Sequence, residues 1–480
     1  MSVAASTADQ VRGRNAGTRP SQVLAIVSAG LIMANLDLFI VNVALPNIRL
    51  DFGNPALDDM SWVLNGYAIV YAALLVFFGR LAERHRRDLS FLVGIALFTA
   101  ASAACAAATG VWTLVAFRLA QAAGAALMTP TSLGLLLASY PPERRASAVR
   151  TWTAIGGFAA AFGPVAGGLL LELSWRWIFI VNVPVGVAAL IIGWRKLPHV
   201  PGHDVPRPDG LGAALVTAGV AALTFGLVKI NEWGWNSTGV LTSLAIAVAL
   251  LTVFTVHCLR AGNPLVEPAL FRLRTFTGAT LALVPFSTAF GAMLLALVLW
   301  EEGAWNWSPL HAGLAIAPGP FLVPVTALLV AGRLIKRFGT APVVTLGLTV
   351  FAAGCAWWAI SVTPTPSLLS AMGGIILTGI GVGLTMPTLM GAAAGSLPPS
   401  SFATGSAVVN MIRQTGMAVG VAGLIAIIGA PTGSVADHLF AFQHAWWAMT
   451  LVTLVGLVPT FLMLRVRRSE RSAATDTAKA

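Results

Sequence analysis

Charged residues are scarce in this chain of 480 residues. Asp, Glu, Lys and Arg make up 10% of it, against about 25% in a soluble domain, while hydrophobic residues make up 57%. This balance excludes a soluble globular protein and indicates an integral membrane protein. Because the apolar runs are long rather than short alternating segments, we expect an all-α membrane protein.

Cysteine, and the motifs of metal and nucleotide chemistry, are equally sparse. Cys105, Cys258 and Cys355 lie in apolar runs without metal-like spacing, so we expect small lipid-buried side chains. The seven histidines show no HExxH spacing, and no GxxxxGK[ST] loop is present. The sequence therefore argues against a membrane-embedded enzyme and an ATP-driven pump. A sensor would need a large signalling domain, for which the connection between the sixth and seventh runs is too short.

Fourteen apolar runs predict membrane-spanning helices, each of which needs about 20 residues. The first run is too long and too polar for a signal-peptide core, and no cleavage motif follows it. Its stretch 21–47 is predicted to end at Pro46. The predicted spans are 22–47, 61–79, 89–109, 111–138, 147–171, 177–194, 210–229, 237–258, 276–300, 309–331, 341–361, 367–391, 402–428 and 443–464.

The basic residues predict the orientation. Of the 29 Lys and Arg residues, Arg118 and Arg413 lie inside spans and only Arg49, Arg176 and Lys229 lie in outer segments if the N-terminus is cytoplasmic. Such asymmetry favours two cytoplasmic termini in a plasma-membrane protein. The net charge of +11 then belongs to the helix ends, so we expect no nucleic-acid partner.

Three short motifs recur in the same order 253 to 259 residues apart. They are GRLAER (79–84) and GRLIKR (332–337), GxxLxxPT (124–131 and 381–388), and SAV (147–149 and 406–408). Helices 1–6 therefore resemble helices 9–14, and helices 7 and 8 are an insertion. Two parallel halves around a central site are typical of transporters.

The repeat predicts two pseudo-symmetric six-helix bundles plus two inserted helices. The predicted division is an N-terminal tail 1–21, a first bundle 22–195, a linker with helices 7 and 8 at 196–274, a second bundle 275–465 and a C-terminal tail 466–480.

Asp37 lies inside the first apolar run, where a carboxylate costs a few kcal/mol and is a functional hypothesis by default. Counting about 1.5 Å per residue from the outer helix ends places Arg118, in the fourth run, at a similar depth. A pair would lower the cost of both charges. It could be a static tie, or a switch in which protonation of Asp37 releases Arg118.

The fifth run contains GGFAAAFGPVAGG at 156–168. Gly156, Gly163 and Gly167 fall on one helical face and allow close approach of a neighbouring helix. Pro164 removes a backbone donor, so a bend is predicted there. From the glycines alone, ordinary helix packing stays open.

GRLAERHRRD at 79–88 predicts a basic loop after the second span. Glu83 lies among four arginines, Arg80, Arg84, Arg86 and Arg87, and can form charge pairs that hold in one conformation and break in another. On charge alone, anchoring at the cytoplasmic face is favoured.

Polar residues within the spans are candidates for a substrate pathway. Arg413, Gln414 and Asn410 could face a cavity or tie helices together. Glu301 and Glu302, beside tryptophans, could form a vestibule for cationic aromatic-liking molecules, although interfacial anchoring is favoured. The candidates are Asn42, Gln121, Asn410, Arg413, Gln414, Glu301 and Glu302.

Together the motifs resemble the fourteen-helix drug:proton antiporter branch of the major facilitator superfamily, over residues 22–468. LDLFIVNVALP (36–46), RLAQAAGAA (118–126) and GPVAGG (163–168) are similar to its motifs on helices 1, 4 and 5. GRLAERHRR is similar to its loop motif, with Glu83 for the usual Asp and Arg86 for the usual Gly. SWRWIFIVNVP (174–184) and SAVVNMIRQTG (406–416) are also typical of the branch.

The resemblance implies that Asp37 is the essential acid of helix 1 and that Arg118 takes part in proton transfer. It also implies conformational motifs made of Gly79, Leu81, Glu83, Arg84, Arg87, Gly163, Pro164, Gly167 and Gly168.

We therefore expect a proton-coupled exporter that moves lipophilic drugs or similar molecules, cationic ones included, by alternating access. A dedicated exporter of one endogenous metabolite or natural product is the alternative. We expect no enzymatic activity, no metal and no cofactor beyond the proton gradient. The expected partners are substrate, protons and membrane lipids, and the expected state is a monomer.

Overall fold

The computed structural model describes residues 19–202, 207–397, 402–429 and 435–464, and these are helical with no strand. The helices are α1 Pro20–Asp51, α2 Leu57–Arg84, α3 Arg87–Ala106, α4 Val111–Ser139, α5 Pro142–Leu171, α6 Trp177–Lys196, α7 Gly210–Val228, α8 Thr238–Arg260, α9 Arg274–Gly303, α10 Pro309–Phe338, α11 Thr340–Ser361, α12 Leu368–Gly395, α13 Phe402–Ile428 and α14 Val435–Val455, which continues as Leu457–Met463.

The predicted all-α membrane fold is confirmed. Within the described residues, thirteen helices are long and apolar enough to cross a membrane, and α5 adds a shorter apolar stretch, Ile155–Leu171. Each helix satisfies its backbone hydrogen bonds internally, which hydrocarbon demands of a spanning segment. The predicted spans and the observed helices correspond one to one.

Two predicted helix ends are wrong. α1 continues through Pro46 to Asp51, because a proline removes only one donor and the other backbone bonds have no water to replace them. The GRLAER stretch is not a loop: α2 runs to Arg84, leaving His85 and Arg86 before α3. The residues after Gly79 in that motif are good helix formers, and no proline interrupts them.

The helices alternate in direction, so the bundle has two distinct ends. We name one the basic end; it carries Arg84, Arg87, Arg260 and Arg274 at helix termini. We name the other the acidic end; it carries Asp51, Asp58, Glu232 and Glu302.

The two copies of the GxxLxxPT motif make equivalent contacts. α3 packs against α4, and α11 packs against α12. A Cβ built on Gly124 would lie 2.6 Å from the backbone N of Phe98, and one built on Gly381 would lie 2.6 Å from the backbone N of Phe351. In each half, glycine thus allows the same close approach of two helices.

The inserted helices are tied to α2 at both ends. At the acidic end, Lys229 Nζ lies 2.6 Å from Asp58 Oδ2. At the basic end, Arg80 donates to Asn263 Oδ1 at 2.6 Å and lies 2.9 Å from Glu267 Oε1. α7 packs on α8 and also contacts α2 and α13.

Candidate functional site: a buried ion pair beside a central cavity

Asp37 and Arg118 form a direct ion pair between α1 and α4. Both side chains are essentially inaccessible, at 0% and 1% exposure. α1 and α4 pack against each other, and the two side chains meet where these helices are in contact. The pairing expected from their depth is present, and it offsets the cost of burying either charge alone.

Gln121 completes the pair as a bridge. Its Nε2 donates to Asp37 Oδ1 at 2.9 Å, and its Oε1 accepts from Arg118 Nη1 at 2.7 Å. It lies one helical turn after Arg118, which places both side chains on one face of α4. The carboxylate therefore has two different donors, one charged and one neutral.

The network continues away from α1. Gln121 Nε2 also donates to Ser102 Oγ of α3 at 3.2 Å, and Asn182 Nδ2 of α6 donates to the same hydroxyl at 3.1 Å. Arg118 Nε donates to Val63 O of α2 at 3.3 Å. Asp37 thus belongs to a hydrogen-bond network that joins five helices of the first half of the protein.

A cavity of about 600 Å³ lies between the two halves of the chain, a volume suited to a drug-sized ligand. Its walls come from α1, α2, α4 and α5 on one side and from α9, α10, α12 and α13 on the other. Most lining residues are apolar, including Phe39, Phe290, Met293 and Met386. Flexible methionines suit a site that accepts several shapes.

Asp37 does not line this cavity. Two tyrosines on α2 separate them: Tyr71 lines the cavity, and its ring stacks on that of Tyr67 with centroids 5.9 Å apart. The guanidinium carbon of Arg118 lies 4.1 Å from the Tyr67 ring centroid. On this side, the rings of Tyr71 and Tyr67 therefore separate the cavity from the ion pair.

Tyr67 and Tyr71 were missed by the sequence reasoning. The chain has only three tyrosines, and two of them are spaced i, i+4 within one span. That spacing puts both on one helical face, so their rarity and their register were the available signal.

The glycine-rich part of α5 lies against two helices. A Cβ built on Gly163 or Gly167 would meet Phe39 or Ile40 of α1, and one on Gly168 would lie 2.8 Å from Leu310 Cα of α10. Pro164 lines the cavity. Its carbonyl oxygen packs against Gly313 of α10, where a built Cβ would lie 2.5 Å from that oxygen. This α5–α10 seam closes the cavity toward the acidic end.

Toward the basic end the cavity wall reaches Trp152, Ala394 and Ser406. Trp152 and Ser406 follow the basic-end starts of α5 and α13, and Ala394 precedes the basic-end terminus of α12. The cavity therefore extends toward the basic end.

The predicted substrate-pathway residues divide into two groups. Asn42, Asn410 and Arg413 line the cavity. Gln414 is 1% exposed and off the wall, and Gln121 belongs to the ion-pair network.

Glu301 and Glu302 are also off the cavity wall. Glu301 is 1% exposed, and Asn47 Nδ2 donates to Glu302 Oε2 at 3.3 Å. In this conformation the two acids lie in the closed acidic end and form no open vestibule.

The loop motif packs on its surroundings at the basic end. Gly79 faces Pro130 of α4, and Arg87 crosses Gly134 while its backbone N donates to Val200 O at 3.1 Å. Leu81 O accepts from His85 N at 3.2 Å. Arg84 ends α2. The side chain of Glu83 lies outside the described residues, so its predicted charge pairs stay a prediction.

The family model described as Major Facilitator Superfamily matches residues 27–420, and again residues 279–480. The chain belongs to the major facilitator superfamily. The second match starts within α9, the first helix of the second half of the chain. This is a superfamily of membrane transporters, so the protein is a multi-pass membrane transporter, in agreement with the resemblance seen in the sequence.

Curated relatives carry export and resistance names. The chain is 31% identical to the tetracenomycin C resistance and export protein of Streptomyces glaucescens, over 95% of this chain and 82% of the relative. It is 30% identical to the methylenomycin A resistance protein of Streptomyces coelicolor, over 98% of both. It is 29% identical to the multidrug resistance protein B homolog of Mycobacterium tuberculosis, over 82% and 73%.

Solved structures agree with the superfamily fold. A crystal structure of the peptide transporter POT in complex with sulfate superposes with a TM-score of 0.68 at 15% identity, over 92% of this chain and 96% of that one. An auto-inhibited POT family peptide transporter gives a TM-score of 0.65 at 17% identity, over 93% and 98%. At this identity the likeness concerns the fold.

Proposed function

We propose that this superfamily member is an exporter of lipophilic small molecules that exchanges an outward-moving substrate for inward-moving protons. The single observation that carries the coupling is the buried Asp37–Arg118 pair, walled off from the substrate cavity by Tyr67 and Tyr71. The export direction is supported by relatives named for resistance to, and export of, antibiotics.

The coupling step follows from the charges. Protonation of Asp37 removes the partner charge of Arg118, which must then reorganise because an unpaired buried cation is costly. Arg118 lies on the Tyr67 ring, and Tyr67 stacks on cavity-lining Tyr71. Proton binding and substrate binding therefore act on opposite faces of the same aromatic pair.

The orientation of the chain is part of the proposal. With the basic end in the cytoplasm, the cavity faces inward and the α5–α10 seam closes the outer side. In this arrangement the protein lies in the plasma membrane with cytoplasmic termini and works as a monomer. It needs no cofactor, and it changes the location of its substrate without chemical conversion.

The test is transport into inside-out proteoliposomes. Tetracenomycin C and methylenomycin A, taken from the names of the relatives, are the first compounds to try. We expect at least one to accumulate when the vesicle interior is acidic, and the accumulation to collapse when a protonophore is added. Equal substrate accumulation with and without the protonophore would contradict proton coupling.

A dedicated exporter of one natural product is the second candidate, because relatives are named for single compounds as well as for multidrug resistance. Growth-inhibition panels on a strain that lacks the gene separate the two. Sensitivity to several unrelated compounds supports a broad exporter, and sensitivity to one supports a dedicated exporter.

A further inference from the structure

Arg413 is the charged residue of the cavity wall. Among the described residues that line the cavity, none is acidic and no second basic residue occurs. Asp37 of α1 is fully buried off the cavity wall and is already paired with Arg118. The electrostatic character of the cavity is therefore set by one guanidinium.

This guanidinium has no anionic partner among the described residues. Within the described part of the chain, its Nη1 donates to the thioether sulfur of Met417 at 3.7 Å, and its buried Nε has no hydrogen-bond acceptor. A cation in an apolar site is costly unless it is paired. Arg118, the buried arginine of the ion pair, differs from Arg413. It donates hydrogen bonds to the Asp37 carboxylate and to two carbonyl oxygens, those of the Gln121 side chain and the Val63 backbone.

The other polar groups of the wall are neutral. Nε1 of Trp152 is a second buried donor without a partner among the described residues. The amide groups of Asn35, Asn42 and Asn410 each donate to the carbonyl four residues earlier in their own helix. The hydrogen bonds of these amides therefore stay within their own helices, and the amides carry no negative charge that could neutralise Arg413.

We propose that the cavity binds lipophilic molecules that carry one negative charge, and that Arg413 is the group that recognises this charge. The inference rests on the proposed export function and specifies its substrate class. It narrows the sequence-based expectation, which included cationic substrates, because a cation would enter a cavity whose described wall has a positive charge and no carboxylate. The guanidinium suits a carboxylate, a sulfonate or an ionised phenol.

The direct test is equilibrium binding of two dyes with one aromatic skeleton. Anilinonaphthalene sulfonate carries a permanent negative charge, and N-phenylnaphthylamine carries none. Binding is measured on the full chain in phosphatidylcholine nanodiscs, which contain no anionic lipid to compete, against empty nanodiscs. We expect Arg413→Gln to weaken binding of the anionic dye about tenfold, the worth of one charged hydrogen bond, and to leave the neutral dye within about twofold.

Two variants serve as controls. Arg413→Lys keeps the charge and should retain part of the preference for the anion. Arg333→Gln removes an equal charge from exposed Arg333 of α10, away from the cavity, and should change neither affinity. Equal losses for both dyes in Arg413→Gln, or equal losses of the anionic dye in Arg333→Gln, would overturn the proposal.

The wild-type protein gives an answer even if Arg413→Gln does not fold. The bound anionic dye should be displaced by a lipophilic carboxylic acid at about tenfold lower concentration than by its methyl ester. Displacement at equal concentrations would overturn the proposal. If anion preference holds but no compound is moved by a pH gradient, the transport proposal fails and the binding inference stands.

Discussion

At the scale of single residues, the site is built from one acid, one base and one amide. Asp37 and Arg118 were found from the sequence because ionisable residues are rare inside apolar runs. Their partner Gln121 had only a place among candidate pathway residues, and the structure moves it to the ion pair. Its Nε2 and Oε1 satisfy the acid and the base at once, which no charged residue in its place could do.

Gln121→Leu tests this bridging role. The substitution removes the neutral donor from Asp37 while it keeps the ion pair, so the ionised form of the acid loses a hydrogen bond. We expect the acid to hold its proton to higher pH, and the pH optimum of transport to move upward. Transport by purified wild-type and variant protein from pH 5 to 9 measures the shift, and an unchanged profile would remove Gln121 from the coupling site.

At the scale of helices, glycine decides where elements meet. Gly163 and Gly167 hold α5 against α1, and Gly168 and Gly313 hold α5 against α10 of the other half. The first contact lies within one half, and the second crosses between the halves. Only the second must break if the acidic end opens.

Gly168→Ala should weaken the closed seam. Its Cβ would lie 2.8 Å from Leu310 Cα and Pro309 O, both backbone atoms that cannot rotate away. Spin labels at Leu173 and Thr365, exposed residues of the acidic end on either half, should show a longer mean distance. Gly157→Ala in the same helix, where a Cβ meets nothing within 4 Å, is the control. Equal distances in both variants would contradict the seam.

The start of α7 provides a second test at the scale of elements. Asp209 Oδ1 accepts from Gly212 N at 2.8 Å and its Oδ2 from Leu265 N at 2.9 Å, which caps the helix and fixes the chain after α8. Burial raises the pKa of Asp209, but these backbone donors and the nearby His257 imidazole outweigh it and leave the pKa below its usual value.

A lowered folded-state pKa adds stability that is present above the unfolded value, about 3.9 for Asp, and is lost as pH falls through the folded value. Asp209→Asn keeps a good cap but has no charge. We therefore expect wild-type melting temperature to drop below about pH 4 by more than that of Asp209→Asn. Parallel melting curves across pH 3 to 7 would show that this charge contributes nothing.

The sequence predicted helix number, order and the internal repeat, because these depend on hydrophobic length and on local motifs. It could not predict that Pro46 stays helical or that Tyr67 and Tyr71 separate acid from cavity, since both depend on packing between distant segments. It also left Arg413 undecided between a cavity and a helix tie. That choice depends on which polar side chains already have hydrogen-bond partners. The structure shows these partners, whereas a residue pattern in the sequence does not.

At the scale of the whole molecule, substrate charge sets the driving force. One proton moving inward releases about 2.3 kcal/mol per 100 mV and about 1.4 per pH unit. At a potential of about 100 mV and a difference of about one pH unit, exchange of a neutral substrate for one proton releases about 3.7 kcal/mol. This energy sustains a substrate concentration ratio of several hundredfold across the membrane. A monovalent cation would use only the pH part, whereas an anion leaving the cell gains a second charge movement of about 2.3 kcal/mol per 100 mV.

This arithmetic gives a prediction for intact transport. With no pH difference, a membrane potential should still drive accumulation of an anionic substrate, and more strongly than that of a neutral one of the same skeleton. Potassium-loaded proteoliposomes with valinomycin set the potential. Equal responses of the anionic and the neutral dye would contradict export of anions.

The central claim is that Asp37 couples proton movement to substrate movement, and Asp37→Asn in proteoliposomes tests it most directly. Asp51→Asn, on the same helix but 44% exposed at the acidic end, is the matched control. The account predicts that Asp37→Asn still exchanges labelled for unlabelled substrate but no longer accumulates it when a pH gradient is applied, while the control does both. Gradient-driven accumulation by Asp37→Asn at the wild-type level would contradict the account.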